Sequence, residues 1–288
     1  MGQIQKGRDI MRKMKIVADS SANLLTLEGR DFAVAPLKII AGDREFVDDS
    51  RLNVDEMVDF FDSYTARSKT SCPNPGDWLE AFGDADDIFC VTITSGLSGS
   101  YNAACVAKQM LEAEDGDKRV TVIDSLSAGP ELALIVEKLQ ELMDAGCTYE
   151  QIAEQIGQYQ KTTGLIFALA SLQNFAANGR VPMAVAKLAG VLGIRIVGKA
   201  SDQGTLQPLD KSRGEAKALK KLVEYLTANG FCRGKVRIDH CKNQAAAESL
   251  MGMVKEAFPE ADVKISQCLG LCSYYAEKGG LLVGYEKF

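Results

Sequence analysis

Apolar positions along the chain fall into two spacings, short aliphatic runs and longer stretches of helical period, and through the first half these alternate. Ile88, Cys90, Val91 and Ile93 form one such run, interrupted only by Thr92, as expected of a strand buried on both faces of a parallel sheet. From Ala103 to Leu111 the period is helical: Val106, Met110 and Leu111 share a stripe, and Ala103, Ala104 and Ala107 are small enough for close packing. Between the two lies a tight hydroxyl loop, Thr94-Ser95-Gly96-Leu97-Ser98-Gly99-Ser100. The same order recurs elsewhere. Lys15 to Ala18 runs into Asp19-Ser20-Ser21-Ala22-Asn23, and Val120 to Ile123 runs into Asp124-Ser125-Leu126-Ser127-Ala128-Gly129 and an amphipathic helix from Pro130 to Ala145. Phe32 to Ile40 reads as a further buried strand, with Pro36 marking an edge or bulge. Asn53 with Glu56, and Thr148 with Gln151, have the spacing of capping boxes and open two more helices. Thr70 and Ser71 precede Pro73 and Pro75, which lead into a helix carrying Trp78, Leu79 and Phe82.

Alternation of strand and helix predicts an α/β protein whose amino-terminal domain is a parallel sheet between two helical layers. The pattern changes near 162–164. Strands at 165–170, 194–199, 235–240, 263–268 and 281–285 are interleaved with helices at 183–192, 214–228 and 244–258, and Asp202-Gln203-Gly204 marks a hairpin. These features predict a smaller α/β domain with a mixed or antiparallel sheet, so the expected domains are 15–163 and 164–288. Ligands of parallel sheets gather outside the carboxyl ends of the strands. Four loops rich in Ser, Thr or Asp are therefore expected to converge on one crevice.

Composition narrows the partners. The 288 residues are 46% hydrophobic and 25% charged, an ordinary globular balance, and the formal net charge of −6 argues against a general nucleic-acid or anionic-membrane binder. No apolar run reaches transmembrane length and the first residues lack a signal-peptide core, so the cytoplasm is the expected location. Residues before Met14 are polar and aperiodic and read as a loose extension. The eight cysteines and one histidine offer no metal-ligand spacing, and the cysteines are expected to be reduced, mostly buried small hydrophobes.

A strand that passes through Gly and Ser into a helix leaves backbone N–H groups at a site that favours an anion. The 94–100 loop carries no lysine or arginine and matches neither common phosphate-binding glycine motif, so a singly charged carboxylate suits it better than a triphosphate. At this level a second reading stays open, in which Ser98 or Ser100 merely caps the helix. Arg180, after the Asn178-Gly179 stop, reads equally as a surface residue or as a guanidinium able to grip a carboxylate. An enzymatic alternative is a serine-dependent hydrolase or a small-molecule phosphotransferase in the same crevice. The hydrolase form is weak because Gly96-Leu97-Ser98-Gly99-Ser100 misses the nucleophile-elbow pattern by one place and His240 is the one candidate base.

Six segments in order, KIVADSSANL, TSCPNP, ITSGLSGSYNAA, DSLSAG, LASLQNFAANGRV and KSRGEAKALKKL, make the chain similar to the DegV family of bacterial fatty-acid-binding proteins from Lys15 to Tyr285. The resemblance implies a long-chain fatty acid held between the two domains, its tail in an apolar tunnel and its carboxylate on hydroxyls, with no catalytic residue, metal or other cofactor. It also implies a partner, an ATP-dependent fatty acid kinase subunit to which some members present the acid. Carried over by position, the ligand-binding residues are Thr70, Ser71, Ser95, Gly96, Ser98 and Arg180. Cys72 and Asn74 stand where the family usually has glutamine and serine, and the 273–280 stretch lacks the family's frequent histidine.

Overall fold

The computed structural model describes residues 12–189 and 193–287. From the amino terminus come β1 (Met14–Asp19), β2 (Phe32–Ala35), β3 (Lys38–Ala41), β4 (Arg44–Val47), α1 (Val54–Ser63), β5 (Ser68–Ser71), α2 (Pro75–Phe82), β6 (Asp87–Thr92) and α3 (Ser100–Glu114). Next are β7 (Arg119–Asp124), α4 (Pro130–Asp144), α5 (Tyr149–Tyr159), β8 (Thr163–Leu169), α6 (Gln173–Ala177), α7 (Met183–Ala189), β9 (Ile194–Ala200) and β10 (Leu206–Arg213). The chain closes with α8 (Glu215–Ala228), β11 (Gly234–His240), α9 (Gln244–Ala257), β12 (Ala261–Gln267), α10 (Gly270–Ala276) and β13 (Leu281–Glu286).

Three sheets form. The first, in the order β2-β1-β6-β7, is parallel throughout. Its strands alternate their apolar residues between two helical layers: Val17, Ile88 and Cys90 meet Trp78 and Phe82 of α2 and Ala104 and Ala107 of α3, while Ile16, Phe89 and Val91 meet Leu132, Ile135 and Leu139 of α4 and Ile152 of α5. This is the predicted three-layer arrangement. The second sheet, β10-β9-β8-β13-β11-β12, is antiparallel except at β11–β12. One face, with Ile166, Val197, Ile238 and Val283, is covered by α8 and α9; the other places Leu165, Phe167, Leu169 and Leu282 in a cluster with Ile39 of β3, Met57 and Val58 of α1 and Tyr274 of α10.

Helix α4 lies between the two sheets and is buried nearly all round. Its start rests on β13 at Gly284, where an added Cβ would stand 2.6 Å from the backbone of Pro130 and Glu131, so only glycine allows that approach.

Several local expectations change. Phe32 to Ile40 is two strands rather than one: β2 ends before Pro36, and β3 pairs antiparallel with β4 and β5 in a third small sheet. Proline has no N–H to continue a ladder, which is why the chain leaves the first sheet there. Thr70 and Ser71 lie on β5, not in a loop before a helix. The capping box at Thr148 and Gln151 is complete, whereas at α1 only the Asn53 side chain bonds, to Glu56 N. Ahead of β1, Arg12 is anchored by the buried Asp87 and Lys13 by Asp31 and Asp84. The rest of the extension, residues 1–11, and residues 190–192 of the predicted 183–192 helix lie outside the described residues.

Helix α10 was not predicted from the sequence, and what fixes it is a side chain far away in the chain. Asp48, 1% exposed, accepts from Gly270 N at 2.6 Å and Leu271 N at 2.9 Å, satisfying two of the free amides of the first turn. Burial pushes its carboxyl up to about 6, above the usual aspartate value of 3.8, despite the two amide bonds and a Ser20 hydroxyl that favour the charge. A carboxyl whose folded pKa is raised stabilises the fold most when protonated, below about 4, and that contribution is lost as pH rises through about 6. Urea denaturation across pH 4 to 7 should therefore show the stability of the wild type falling relative to Asp48→Asn, by at most about 3 kcal/mol at 1.36 kcal/mol per unit. Parallel pH curves for the two proteins would contradict this.

Candidate functional site

The inner face of the second sheet and the carboxyl ends of the first do not close on one another. A cavity of about 300 Å³ remains between them, at the lower end of the range of about 300–1,000 Å³ typical of small-molecule pockets. Leu165, Phe167, Leu169 and Leu282 form one wall, and Leu37, Ile93 and Leu271 lie among the residues lining the rest. Polar side chains from separate segments also reach it: Thr70 and Ser71 on β5, Thr94 and Ser98 after β6, Ser127 after β7, Arg180 after α6, and Tyr275 on α10.

Asp19 sets the position of the 94–100 loop. Its carboxylate is fully buried, with no cation beside it among the described residues, and it accepts from the Ser21 amide and hydroxyl, from Ile93 N at 2.8 Å and from Ser100 Oγ at 2.7 Å. Burial raises its pKa, against four hydrogen bonds that pull the other way. The end of β1, the end of β6 and the start of α3 are thereby fixed to one group. The Asp19–Asn23 loop lies beneath the cavity and does not line it, so three of the four hydroxyl-bearing segments converge as expected and the first supports them.

The loop does not offer the bare amides expected of it. Ser95 N donates to Asp124 Oδ1 at 3.0 Å, Gly96 N to Thr94 Oγ1 at 3.1 Å, and Leu97 N and Ser98 N both to Thr94 O at 3.2 Å. Helix α3 has no side-chain cap at Gly99, although Ser100 N donates to Ser98 Oγ at 3.3 Å. The Ser98 oxygen accepts that bond and keeps its own hydrogen for another partner. The amides of Ser95 to Ser98 and of Ser100 are thus already bonded within the protein.

Of the residues singled out in the sequence, Thr70, Ser71, Ser98 and Arg180 share the cavity wall. Ser95 and Gly96 are exposed and lie outside it. Gly96 has a different task. The β9–β10 hairpin tip presses on this loop so closely that a Cβ on Gly96 would stand 2.7 Å from Gln203 O, and one on Gly204 would stand 1.9 Å from Thr94 Oγ1. The hairpin predicted at 202–204 is therefore part of the cavity's enclosure, contributing Gly204, Thr205 and Leu206 to its wall.

Arg180 is half-buried and held by its own surroundings: Nε donates to Leu97 O at 3.1 Å and Nη1 to Asn178 O. Those bonds use two of the five guanidinium N–H groups and hold the side chain at the cavity edge. Thr70 Oγ1 and Tyr275 OH are 2.8 Å apart. Sequence reading missed Thr94, Ser127 and Tyr275. The hydroxyl-rich loops signalled the first two, but nothing local marked Tyr275, because β5 and α10 lie some two hundred residues apart.

His240 takes no part. Its Nδ1 accepts from Asn243 N at 3.2 Å and its Nε2 donates to Gln244 Oε1 at 2.6 Å, and it does not line the cavity. Ser98 therefore has no imidazole base beside it, which removes the geometry a histidine-based hydrolase needs. Among the described residues no group of three or more His, Cys, Asp or Glu is placed to hold a metal ion, and no helix is long and apolar enough to cross a membrane.

Comparison with known proteins agrees with this geometry. The model of the DegV family matches residues 13–287. A DegV domain-containing protein of Streptococcus pneumoniae is 42% identical over 276 residues, spanning 94% of this chain and 98% of its own. Among solved structures, a DegV family protein from Eubacterium eligens loaded with heptadecanoic acid superposes with a TM-score of 0.94 at 43% identity, over 96% of this chain and all of that one. The Streptococcus pneumoniae fatty acid kinase B3 protein, loaded with linoleic acid, gives 0.94 at 42% with the same coverage. A DegV family protein from Ruminococcus gnavus, refined with vaccenic acid, gives 0.85 at 31%, over 94% of this chain and 99% of that one.

The packing at the hairpin tip carries a direct expectation. Gly204 combines φ of +70° with the contact to Thr94, so Gly204→Ala should both strain the backbone and lift the tip. A loss of about 1–3 kcal/mol is expected, read as a drop of about 2–4 °C in Tm per kcal/mol, with faster proteolysis within 201–205. An unchanged Tm and cleavage rate would show that the tip does not close on the loop.

Proposed function

The chain belongs to the DegV family, and on that premise we propose that it is a fatty-acid carrier, which binds one long-chain acid in the cavity between two domains, 15–163 and 164–288. The observation that carries the reading is the composition of the cavity wall: an apolar channel against the second sheet, with hydroxyls and one guanidinium supplied by segments far apart in the sequence. The acyl chain lies along Phe167, Leu165 and Leu282, and the carboxylate is held by Thr70, Ser71 and Ser98 with Arg180 at the edge. Ser95 and Gly96 act by shaping the loop and seating the hairpin.

Magnitudes divide the labour. Burying about a dozen methylenes at about 0.8 kcal/mol each yields a gross gain near 10 kcal/mol before the cost of association, so the tail supplies most of the affinity. Each hydrogen bond to a charged carboxylate contributes about 1.5–3 kcal/mol, and a carboxylate buried without such partners is strongly disfavoured. The polar end therefore sets orientation and rejects head groups that cannot accept several bonds. With no imidazole beside Ser98, the protein holds its ligand without cleaving it. In this reading it works in the cytoplasm and presents the carboxyl group to a separate ATP-dependent kinase subunit, supported by the similarity to the pneumococcal fatty acid kinase B3 protein.

Mass spectrometry of an organic extract of the purified protein is expected to recover about one long-chain acyl group per molecule, as a single enclosed site requires. Repeated recovery of none, together with no uptake on titration, rules the carrier reading out. A second test fills the channel instead of emptying it. Ala128→Phe places a ring in the lining and should weaken fatty-acid uptake by about tenfold or more, equivalent to about 1.4 kcal/mol, with Tm retained; undiminished uptake would move the acyl chain elsewhere.

A further inference from the structure

Strand β5 and helix α10 meet through two hydroxyl pairs. Ser68 and Thr70 are two positions apart and so share one face of the strand. Ser68 Oγ lies 2.7 Å from Tyr274 OH, and Thr70 Oγ1 lies 2.8 Å from Tyr275 OH. The two pairs differ in their surroundings. Tyr274 is buried, does not line the cavity, and also accepts a bond from Asn178 Nδ2 at 2.9 Å. Tyr275 and Thr70 both line the cavity, and among the described residues each hydroxyl has the other as its hydrogen-bond partner.

The Tyr275 ring has little freedom. It stacks on Phe175 at 4.6 Å with planes 30° apart and meets the edge of Tyr274 at 5.0 Å. Burial raises the phenol pKa, so the group keeps its proton and remains a donor at neutral pH. Proton counting then defines what the pair offers. Two hydroxyls own two hydrogens, one of which lies in their mutual bond, whichever oxygen donates it. The other hydrogen has no acceptor among the described residues, and both hydroxyl-bearing residues line the cavity.

Resting on the fatty-acid reading, we propose that Thr70 and Tyr275 form a single donor unit at the polar end of the cavity, in which Tyr275 is a specificity-determining residue that favours a carboxylate over a neutral head group. A carboxylate only accepts, and the unit, Ser98 Oγ and Arg180 all have hydrogens to give. The shared bond polarises the hydrogen that is donated onward, so removal of either oxygen weakens the same contact. An alcohol of the same chain length accepts less strongly and brings a hydrogen of its own that this group of donors does not need.

The experiment is a double-mutant cycle with Thr70→Val and Tyr275→Phe, each protein titrated with stearic acid and with stearyl alcohol. Tyr275→Phe keeps the stack on Phe175, and equal Tm values confirm that the fold is intact. Each single change is expected to weaken stearic acid binding by about tenfold, and the double change by little more than either alone, because coupled sites are not additive. Alcohol binding should change much less. The proposal is overturned if Tyr275→Phe leaves acid binding unchanged, if the two losses multiply to about a hundredfold as independent sites do, or if acid and alcohol weaken equally, as a purely structural role would require. Wild-type protein that takes up neither probe would instead remove the fatty-acid reading itself.

Discussion

A buried carboxylate with no counter-ion among the described residues holds the site together. Asp19 is costly to bury, and its position is tolerable only because hydrogen-bond donors from three different parts of the chain end on it. Each donor is thereby fixed as well. Ser21 sets the turn after β1, Ile93 N the exit from β6, and Ser100 the first turn of α3. The loop between the last two is the one that faces the cavity, so the cost of desolvating Asp19 is converted into a rigid wall for something else. Asp48 works the same way across the molecule, joining the end of the small third sheet to the first turn of α10.

Those anchors explain why a cavity survives between two well-packed layers. Helix α4 separates the sheets and is pressed onto β13 at Gly284, so the sheets cannot slide together to fill the gap. The inner face of the second sheet remains apolar because alternate residues of β8 and β13 must face away from α8 and α9. The loops on the opposite side satisfy their own amides and turn hydroxyls inward. An apolar channel with polar groups from separate segments thus follows from ordinary strand alternation meeting the carboxyl ends of a parallel sheet.

Three of the buried carboxyl groups that lack an arginine or lysine partner among the described residues also have a bearing on how the protein responds to pH. Asp19 and Asp48 lie near the cavity loops and α10, and Asp239 at the end of β11, bonded by Asn23, is pushed up to about 7 by burial. All three are raised, so each favours the folded state less as pH rises through its folded pKa. Carboxylates paired with arginine or lysine, such as Asp87 and Glu137, are shifted down and act in the opposite sense.

Much of the architecture was written in local patterns. The parallel first sheet, the change of pattern near residue 163, the hairpin at 202–204 and the Thr148 cap all follow from hydrophobic period, turn residues and capping spacing, which act over a few residues. The hydroxyl loops after β6 and β7 were recognisable for the same reason, and so was Arg180 at its Asn-Gly stop. What the chain alone did not reveal depends on groups distant in sequence. That Phe32 to Ile40 splits between two sheets is decided by which strands are available to pair on either side of Pro36. That the loop amides are already used, and that Gly96 seats a hairpin rather than lining the cavity, depends on Asp124 and Gln203. Tyr275 reaches Thr70 on a helix whose first turn Asp48 caps, a contact between residues more than two hundred positions apart that no local propensity encodes.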